Sequence, residues 1–298
     1  MTPRQLGPVL VTGANGFLGA ALMARLRGTG HQVIASDIEA GDAPCDITDF
    51  AQVEALFRGQ TFGTVFHCGA VSGPMVLADQ PLAIWQINAL GTAHVLEAAR
   101  LHDAGRVVVC STTNVYGDLA APVDERTRPA PNSVYAASKL AAENAVLGYV
   151  REHGTDAIAL RLSWIYGPGR RTPTELENIL RAALTGQPAV FSAAPDDFTH
   201  YLYIQDAVDG LICAGCAAAP RDWLYNIATG PGVPVKHLAS IITDLRPDVR
   251  LALSAPQKTA TGPTAIDIGR AKRDLGFSVN TELGVGLESY LEFLVKDS

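Results

Sequence analysis

The stretch Val9-Leu10-Val11-Thr12-Gly13-Ala14-Asn15-Gly16-Phe17-Leu18-Gly19 passes from a short apolar run through three evenly spaced glycines into an Ala- and Leu-rich segment, Leu18–Arg27. A strand that turns sharply on glycine into a helix is a phosphate cradle. Gly13 permits the tight turn, Gly16 lets the backbone approach a pyrophosphate, and Gly19 lets the helix lie close against the strand. The helix start then offers N–H groups and the positive end of its dipole to phosphate charge, with Asn15, Phe17 and Leu18 completing the turn. Glycine spacing alone is common; the strand before it and the helix after it give the motif its force. The next strand-like run ends at Ser36-Asp37, about twenty residues on, where an acid accepts hydrogen bonds from a ribose diol. A carboxylate at Asp37 repels a 2′-phosphate, and no Arg follows it, so the expected cofactor is NAD rather than NADP.

Outward from this turn, apolar β-like runs recur at Gln32–Ala35, Thr64–His67, Arg106–Cys110 and Ala157–Leu162. They alternate with helix-like segments at Phe50–Phe57, Leu82–Leu101 and Val134–His153. Such alternation predicts right-handed βαβ units. The fold class is therefore α/β, a doubly wound Rossmann-type parallel sheet, with a smaller interleaved C-terminal substrate lobe. After Gly167-Pro168-Gly169 the pattern loosens. Helices are expected at Thr174–Leu184, Gln205–Ala218, Val235–Leu245 and Leu283–Val295, with returning strands at His200–Ile204 and Leu224–Ile227. We divide the chain into a cofactor domain, 1–165 plus about 199–230, and a substrate lobe, about 166–198 plus 231–298.

The chain has 298 residues, 48% of them hydrophobic and 18% charged, which suits a packed core. A net charge of −7 with no basic cluster beyond Arg170-Arg171 argues against a nucleic-acid partner. No apolar run reaches the roughly 18 residues of a membrane span, and no secretion signal opens the chain, so the expected location is cytoplasmic. Five cysteines without such a signal read as free thiols; Cys213 and Cys216 have redox or metal spacing but read as small buried apolar residues. No metal site is expected.

Tyr135-Ala136-Ala137-Ser138-Lys139 opens an Ala-rich helix, and residues four apart share a face. A neighbouring ammonium favours the phenolate, so Tyr135 is expected to have a lowered pKa and to act as a base. Cys110-Ser111-Thr112-Thr113-Asn114-Val115-Tyr116-Gly117 sets hydroxyls at the carboxyl end of a parallel strand, where ligands bind.

Taken together, these motifs resemble the extended short-chain dehydrogenase/reductases, the NAD-dependent epimerase/dehydratase family. The resemblance covers almost the full length, including Thr12–Gly19, Asp37, Asp46-Ile47, His67–Ala70, Asn88, Thr112 through Gly117, Tyr135 with Lys139, Arg161 through Gly169, Tyr201–Gly210 and Asp267 through Phe277. It implies that Thr112, Tyr135 and Lys139 are catalytic. It implies that Asp46 and Ile47 contact the adenine, that Gly69 and Ala70 line the pyrophosphate and ribose, and that Asn88 belongs to the cofactor site. It further implies a homodimer through the helices Leu82–Leu101 and Val134–His153.

Three departures bear on substrate. Thr199 stands where nucleotide-sugar enzymes of the family usually carry Arg, Thr261 is the nearest match to a second such Arg, and Trp164 replaces an Asn that often meets the diphosphate. Losing both arginines removes charge-assisted contacts to a diphosphate. The expected reaction is therefore net NAD-dependent oxidation of a carbinol in a small non-nucleotide sugar acid, hydroxy acid, polyol or lactone. Ser72, Thr112, Thr113, Asn114, Trp164 and Arg170 are the expected substrate contacts. Arg170 and Arg171 bind a carboxylate or form a solvated pair; Trp164 packs on the substrate or belongs to the core. The alternative is a nucleotide-sugar epimerase that retains its NAD; Thr113-Asn114 lack the acid a dehydratase needs. A non-catalytic NAD-binding protein is a minor third reading.

Overall fold

The computed structural model describes residues 2–39, 41–254 and 262–297. Its first half runs β1 (Val9–Thr12), α1 (Phe17–Gly28), β2 (Val33–Ser36), α2 (Phe50–Phe57), β3 (Thr64–His67) and α3 (Pro81–Trp85). A π-helical turn at Gln86–Leu90 leads into α4 (Gly91–Leu101), then β4 (Arg106–Thr112), a 3-10 turn at Thr113–Tyr116, α5 (Val134–His153) and β5 (Ala157–Leu162). The second half adds β6 (Trp164–Tyr166), α6 (Glu175–Thr185), β7 (Pro188–Phe191), β8 (Phe198–Thr199), β9 (Tyr201–Tyr203), α7 (Ile204–Cys216) and β10 (Leu224–Ile227). It closes with β11 (Val233–Pro234), α8 (Val235–Leu245), β12 (Arg250–Leu253), α9 (Gly269–Leu275) and α10 (Leu283–Lys296).

Six of these strands form one parallel sheet in the order β10-β5-β4-β3-β1-β2. Every residue of β1, β3, β4, β5 and β10 is buried, as a sheet covered on both faces requires. The alternation of side chains divides the core. Val9, Val11, Phe66, Val108 and Leu160 pack toward α1, α7 and α9, while Leu10, Val65, Val107, Val109 and Ala159 pack toward α2, α4 and α5. A third cluster joins α6, α8 and α10 with β7 through Leu180, Phe191, Leu238 and Leu287. The chain moves outward from β1 to β2 and then returns to β3 on the other side of β1. The crevice beyond the carboxyl ends of β1 and β3 is thus the switch point where doubly wound sheets bind ligands.

The sequence-predicted strands and helices of the first half fall within a residue or two of the observed ones, β4 running on to Thr112. Two differences stand out. The helix expected over Leu82–Leu101 is interrupted by the π turn, and the strand expected over His200–Ile204 is shorter and pairs with β6 outside the central sheet. Ile204 instead opens α7. Among the described residues no helix is long and apolar enough to cross a membrane.

Gly19 and Gly28 lie at opposite ends of α1 and make a test of the turn. A Cβ at Gly19 would collide with the Gly13 carbonyl oxygen, whereas one at Gly28 meets nothing within 4 Å. Gly19→Ala is expected to lower stability in denaturant titration by about 1–3 kcal/mol. Gly28→Ala is expected to leave it unchanged or raise it by up to about 1 kcal/mol.

Candidate active site

At the switch point lies an open cleft of about 190 Å³, walled by Gly13, Gly16 and Gly19 on one side and by Thr112, Tyr135 and Lys139 on the other. No side chain caps the first turn of α1, whose residues Phe17, Leu18 and Gly19 also line the cleft, so the helix start faces open space. The floor is braced from below. His67 is buried, with Nδ1 2.7 Å from the Thr12 hydroxyl and Nε2 3.1 Å from that of Thr92. Burial, helped by the Lys139 charge, pushes its pKa down to about 3 and keeps the ring neutral. Asp37 accepts hydrogen bonds from the backbone N–H groups of Asn15 (2.9 Å) and Ile38 (2.8 Å), which fixes its carboxylate at the mouth of the glycine turn.

Ser133 caps α5, its hydroxyl accepting from the Ala136 N–H, and so sets Tyr135 and Lys139 one turn apart at the helix start. Thr112 caps the 3-10 turn by accepting from the Asn114 N–H at 3.2 Å. Its hydroxyl also meets the Tyr135 hydroxyl, and the Gly73 backbone bonds to the same phenol. The expectation of a lowered tyrosine pKa is corrected here. Burial raises the Tyr135 pKa, and the Thr112 and Gly73 hydrogen bonds offset only part of that rise. Burial likewise pulls down the Lys139 pKa, against the stabilising charges of Cys110, Cys68 and Glu143.

Beneath this pair lies a buried ion pair. Arg161 of β5 donates to both carboxylate oxygens of Glu143 on α5, at 2.9 and 2.7 Å, and the Ser111 hydroxyl of β4 donates to the same carboxylate at 2.6 Å. Both charged side chains are nearly inaccessible, at 3% and 1% exposure. Burial opposes the Arg161 charge, yet the Glu143 contacts raise its pKa overall. Its guanidinium also covers the Tyr116 ring at 4.7 Å, and the Tyr116 hydroxyl lies 2.8 Å from Asn226 Oδ1 on β10. The carboxyl ends of β4, β5 and β10 are thereby tied to the helix that carries Tyr135 and Lys139.

Residues 9–228 match the model of the NAD dependent epimerase/dehydratase family. The chain belongs to that family. It is 28% identical to a UDP-glucose 4-epimerase of Mycolicibacterium smegmatis, over 95% of this chain and 97% of that protein. It is 30% identical to a 2-alkyl-3-oxoalkanoate reductase of Stenotrophomonas maltophilia, over 88% of this chain and 81% of that protein. Among solved structures, MoeE5 in complex with UDP-glucuronic acid and NAD superposes with a TM-score of 0.83 at 30% identity, covering 98% of this chain and 100% of that one.

This epimerase/dehydratase family member uses NAD, and its own residues fit that group. The glycine cradle has no room for a Cβ at Gly19, the start of α1 is uncapped toward the cleft, and Asp37 stands at the end of β2. Gly13, Gly16, Phe17, Leu18, Gly19, Ala70, Ser72, Thr112, Asn114, Tyr135, Lys139, Trp164 and Arg170 are brought together on the cleft wall. Arg170 donates to the Ile165 carbonyl at 2.9 Å, and its guanidinium lies 5.4 Å from the Phe17 ring centre. Trp164 is 41% exposed there rather than part of the core.

Other expected contacts sit behind the wall. Asp46 accepts from the Thr48 N–H and hydroxyl, and the Ile47 side chain wedges between Gly69 and Gly91. Two expectations are corrected. Asn88, fully buried in the π turn, spends its amide on Val71 and Ser138, so it fixes the loop under the cofactor instead of facing the cleft. Thr113 is buried in the 3-10 turn and does not line the cleft, because that turn rotates it inward after Thr112. Arg171 is exposed outside the cleft, His200 bonds to the Pro263 carbonyl, and Thr261 lies outside the described residues. Sequence reasoning did not single out Ser163, whose buried hydroxyl lines the cleft, nor Cys68 and Cys110 on its floor.

Removing one partner of the Glu143–Arg161 pair strands the other charge in the core. Arg161→Met and Glu143→Gln are each expected to cost about 3–5 kcal/mol in denaturant titration. The double variant is expected to recover part of that loss, because no buried charge is then left alone. Losses that simply add would show that the two charges are not coupled.

Proposed function

We propose that this chain is a 4-epimerase acting on UDP-sugars, with acidic sugars such as UDP-glucuronic acid as preferred substrates, and that it retains its NAD through the cycle. The observation that carries this reading is the near full-length relationship to MoeE5, which binds UDP-glucuronic acid and NAD, joined to a cleft that sets Arg170 on the same wall as Tyr135. Relatives named as UDP-glucose and UDP-glucuronate 4-epimerases support it.

When bound, NAD supplies a hydride acceptor at its nicotinamide ring. The protein does the rest. Thr112 holds the substrate oxygen, and Tyr135 takes its proton as general base and returns a proton to that same oxygen once the keto sugar has turned its other face toward the cofactor side of the cleft. Lys139 keeps a positive charge close to the cofactor ribose. Arg170 receives the sugar carboxylate as a charge-assisted contact. Exposed Leu82, Trp85, Leu90 and Val134 on α3, the π turn and α5 form an apolar face that supports pairing with a second copy.

A second reading, NAD-dependent oxidation or reduction of a non-nucleotide substrate, is favoured by Thr199 and Trp164 at positions where nucleotide-sugar enzymes carry Arg and Asn. The 30% identity to an oxoalkanoate reductase points the same way. One assay separates the two: purified protein with NAD and a panel of UDP-sugars, sugar acids and hydroxy acids, followed by both chromatography and nicotinamide absorbance. The epimerase reading expects a 4-epimeric UDP-sugar with no accumulation of reduced cofactor, and Tyr135→Phe is expected to lose turnover while keeping bound NAD. Reduced cofactor accumulating with a non-nucleotide acid, and no change in any UDP-sugar, would replace it with the second reading.

Arg170→Met is expected to raise KM for UDP-glucuronic acid by about tenfold or more, as loss of a charge-assisted hydrogen bond does. The KM for UDP-glucose should move by no more than about twofold. Equal effects on both substrates would remove the carboxylate contact from the reading.

A further inference from the structure

Two cysteines stand side by side on the cleft floor, and the proposed chemistry uses neither. Cys68 follows β3, and Cys110 lies near the end of β4. The register pairs His67 with Val109, which sets Cys68 beside Cys110 on adjacent parallel strands. Neighbouring strands lie about 4.7–4.9 Å apart, inside the Cα separation of about 4.4–6.8 Å that a disulfide spans. The two sulfurs are 3.8 Å apart, both are reduced, and both residues line the cleft.

We propose that Cys68 and Cys110 form an oxidation site inside the cofactor cleft: a reversible disulfide between them closes when NAD is absent and weakens NAD binding. The proposal rests on the NAD site described above. The oxidant is hydrogen peroxide. The Cys110 thiolate attacks one peroxide oxygen, which stays as a sulfenic acid, while the other leaves as water. The Cys68 thiol then attacks the sulfenic sulfur, forming the S–S bond and releasing a second water. Two thiols lose two electrons and two protons, and the peroxide is reduced to two waters.

Geometry selects this pair, whose sulfurs face each other at 3.8 Å from adjacent parallel strands. Reactivity agrees with it. The Cys68 contact and the Lys139 charge pull the Cys110 thiol below its ordinary pKa against burial, whereas burial pushes up Cys45, Cys213 and Cys216. The effect on the cofactor follows from packing. Closing the sulfurs from 3.8 Å to about 2.05 Å moves the turn that carries Cys68 and Gly69. Gly13 rests directly on the backbone of those two residues, with no room for even a Cβ between them, so the shift passes into the glycine cradle. Bound NAD fills the cleft through which an oxidant would arrive.

The test compares protein stripped of NAD with protein saturated with NAD, each exposed to hydrogen peroxide. Free thiols are counted, the cross-link is mapped by peptide mass spectrometry, and NAD binding is measured by calorimetry before and after dithiothreitol. The stripped protein is expected to lose two of its five thiols, yield a Cys68–Cys110 cross-linked peptide, and bind NAD about tenfold or more weakly until reduced. The NAD-saturated protein is expected to oxidise about tenfold more slowly. Cys68→Ala under peroxide is expected to give no cross-link and to keep the NAD affinity it had before treatment. A pair that stays reduced in the stripped protein overturns the proposal, as does a disulfide that leaves NAD affinity unchanged or equal oxidation with NAD bound. Reduced protein that fails to bind NAD at all would overturn the cofactor reading itself, and the proposal with it.

Discussion

The bidentate contact between Arg161 and Glu143 is the constraint on which the site depends. A buried charge pair gains little net stability, because desolvation consumes most of the attraction. What it secures is position. Glu143 sits one turn beyond Lys139 and two beyond Tyr135 on α5, while Arg161 and Ser111 come from neighbouring strands. With its carboxylate held by three donors, the helix has one rotation and one height relative to the sheet.

The same logic operates under the cofactor. His67, neutral because it is buried, links Thr12 at the end of β1 to Thr92 on α4. Asn88 links the Val71 loop to Ser138 on α5 from within a π turn, a geometry often found beside functional sites. Neither side chain faces the cleft; Asn88 fixes Val71, which does, and His67 ties together two elements behind it. The wall of the cleft thus combines glycines, hydroxyls, apolar side chains, Lys139 and Arg170, and behind it lies a layer of buried hydrogen bonds made by His67, Asn88, Ser111, Glu143 and Arg161.

These two layers differ in how far the sequence discloses them. The glycine turn, the strand–helix alternation and the Tyr135–Lys139 spacing are local patterns, and the central sheet and most of the cleft wall follow from them. Supporting contacts join residues far apart in the chain, such as Cys68 with Cys110 or Asn88 with Ser138, and only strand register and helix packing bring them together. Short strands such as β8 and β11, of two residues each, carry no period to detect. The tyrosine pKa was misjudged for the same reason. The helix spacing displays the lysine, whereas the burial that raises the phenol pKa comes from the fold around it, and the Thr112, Gly73 and Arg170 contacts offset only part of the rise.

The substrate question turns on where positive charge meets the cleft. Thr199 spends its hydroxyl on the Val233 carbonyl at 3.1 Å, holding β8 to β11, and is too short to serve as a phosphate clamp. Trp164 offers a flat face where an amide usually stands. Among the described residues lining the cleft, Lys139 and Arg170 are the cations, and Lys139 belongs to the reacting end. A nucleotide diphosphate held here would therefore lean on the start of helices and on backbone N–H groups more than on arginine, while Arg170 stays available to the sugar. On the proposed reading, that division of charge leaves Arg170 to a carboxylate on the sugar, where its planar fork makes a charge-assisted contact that a neutral sugar cannot return.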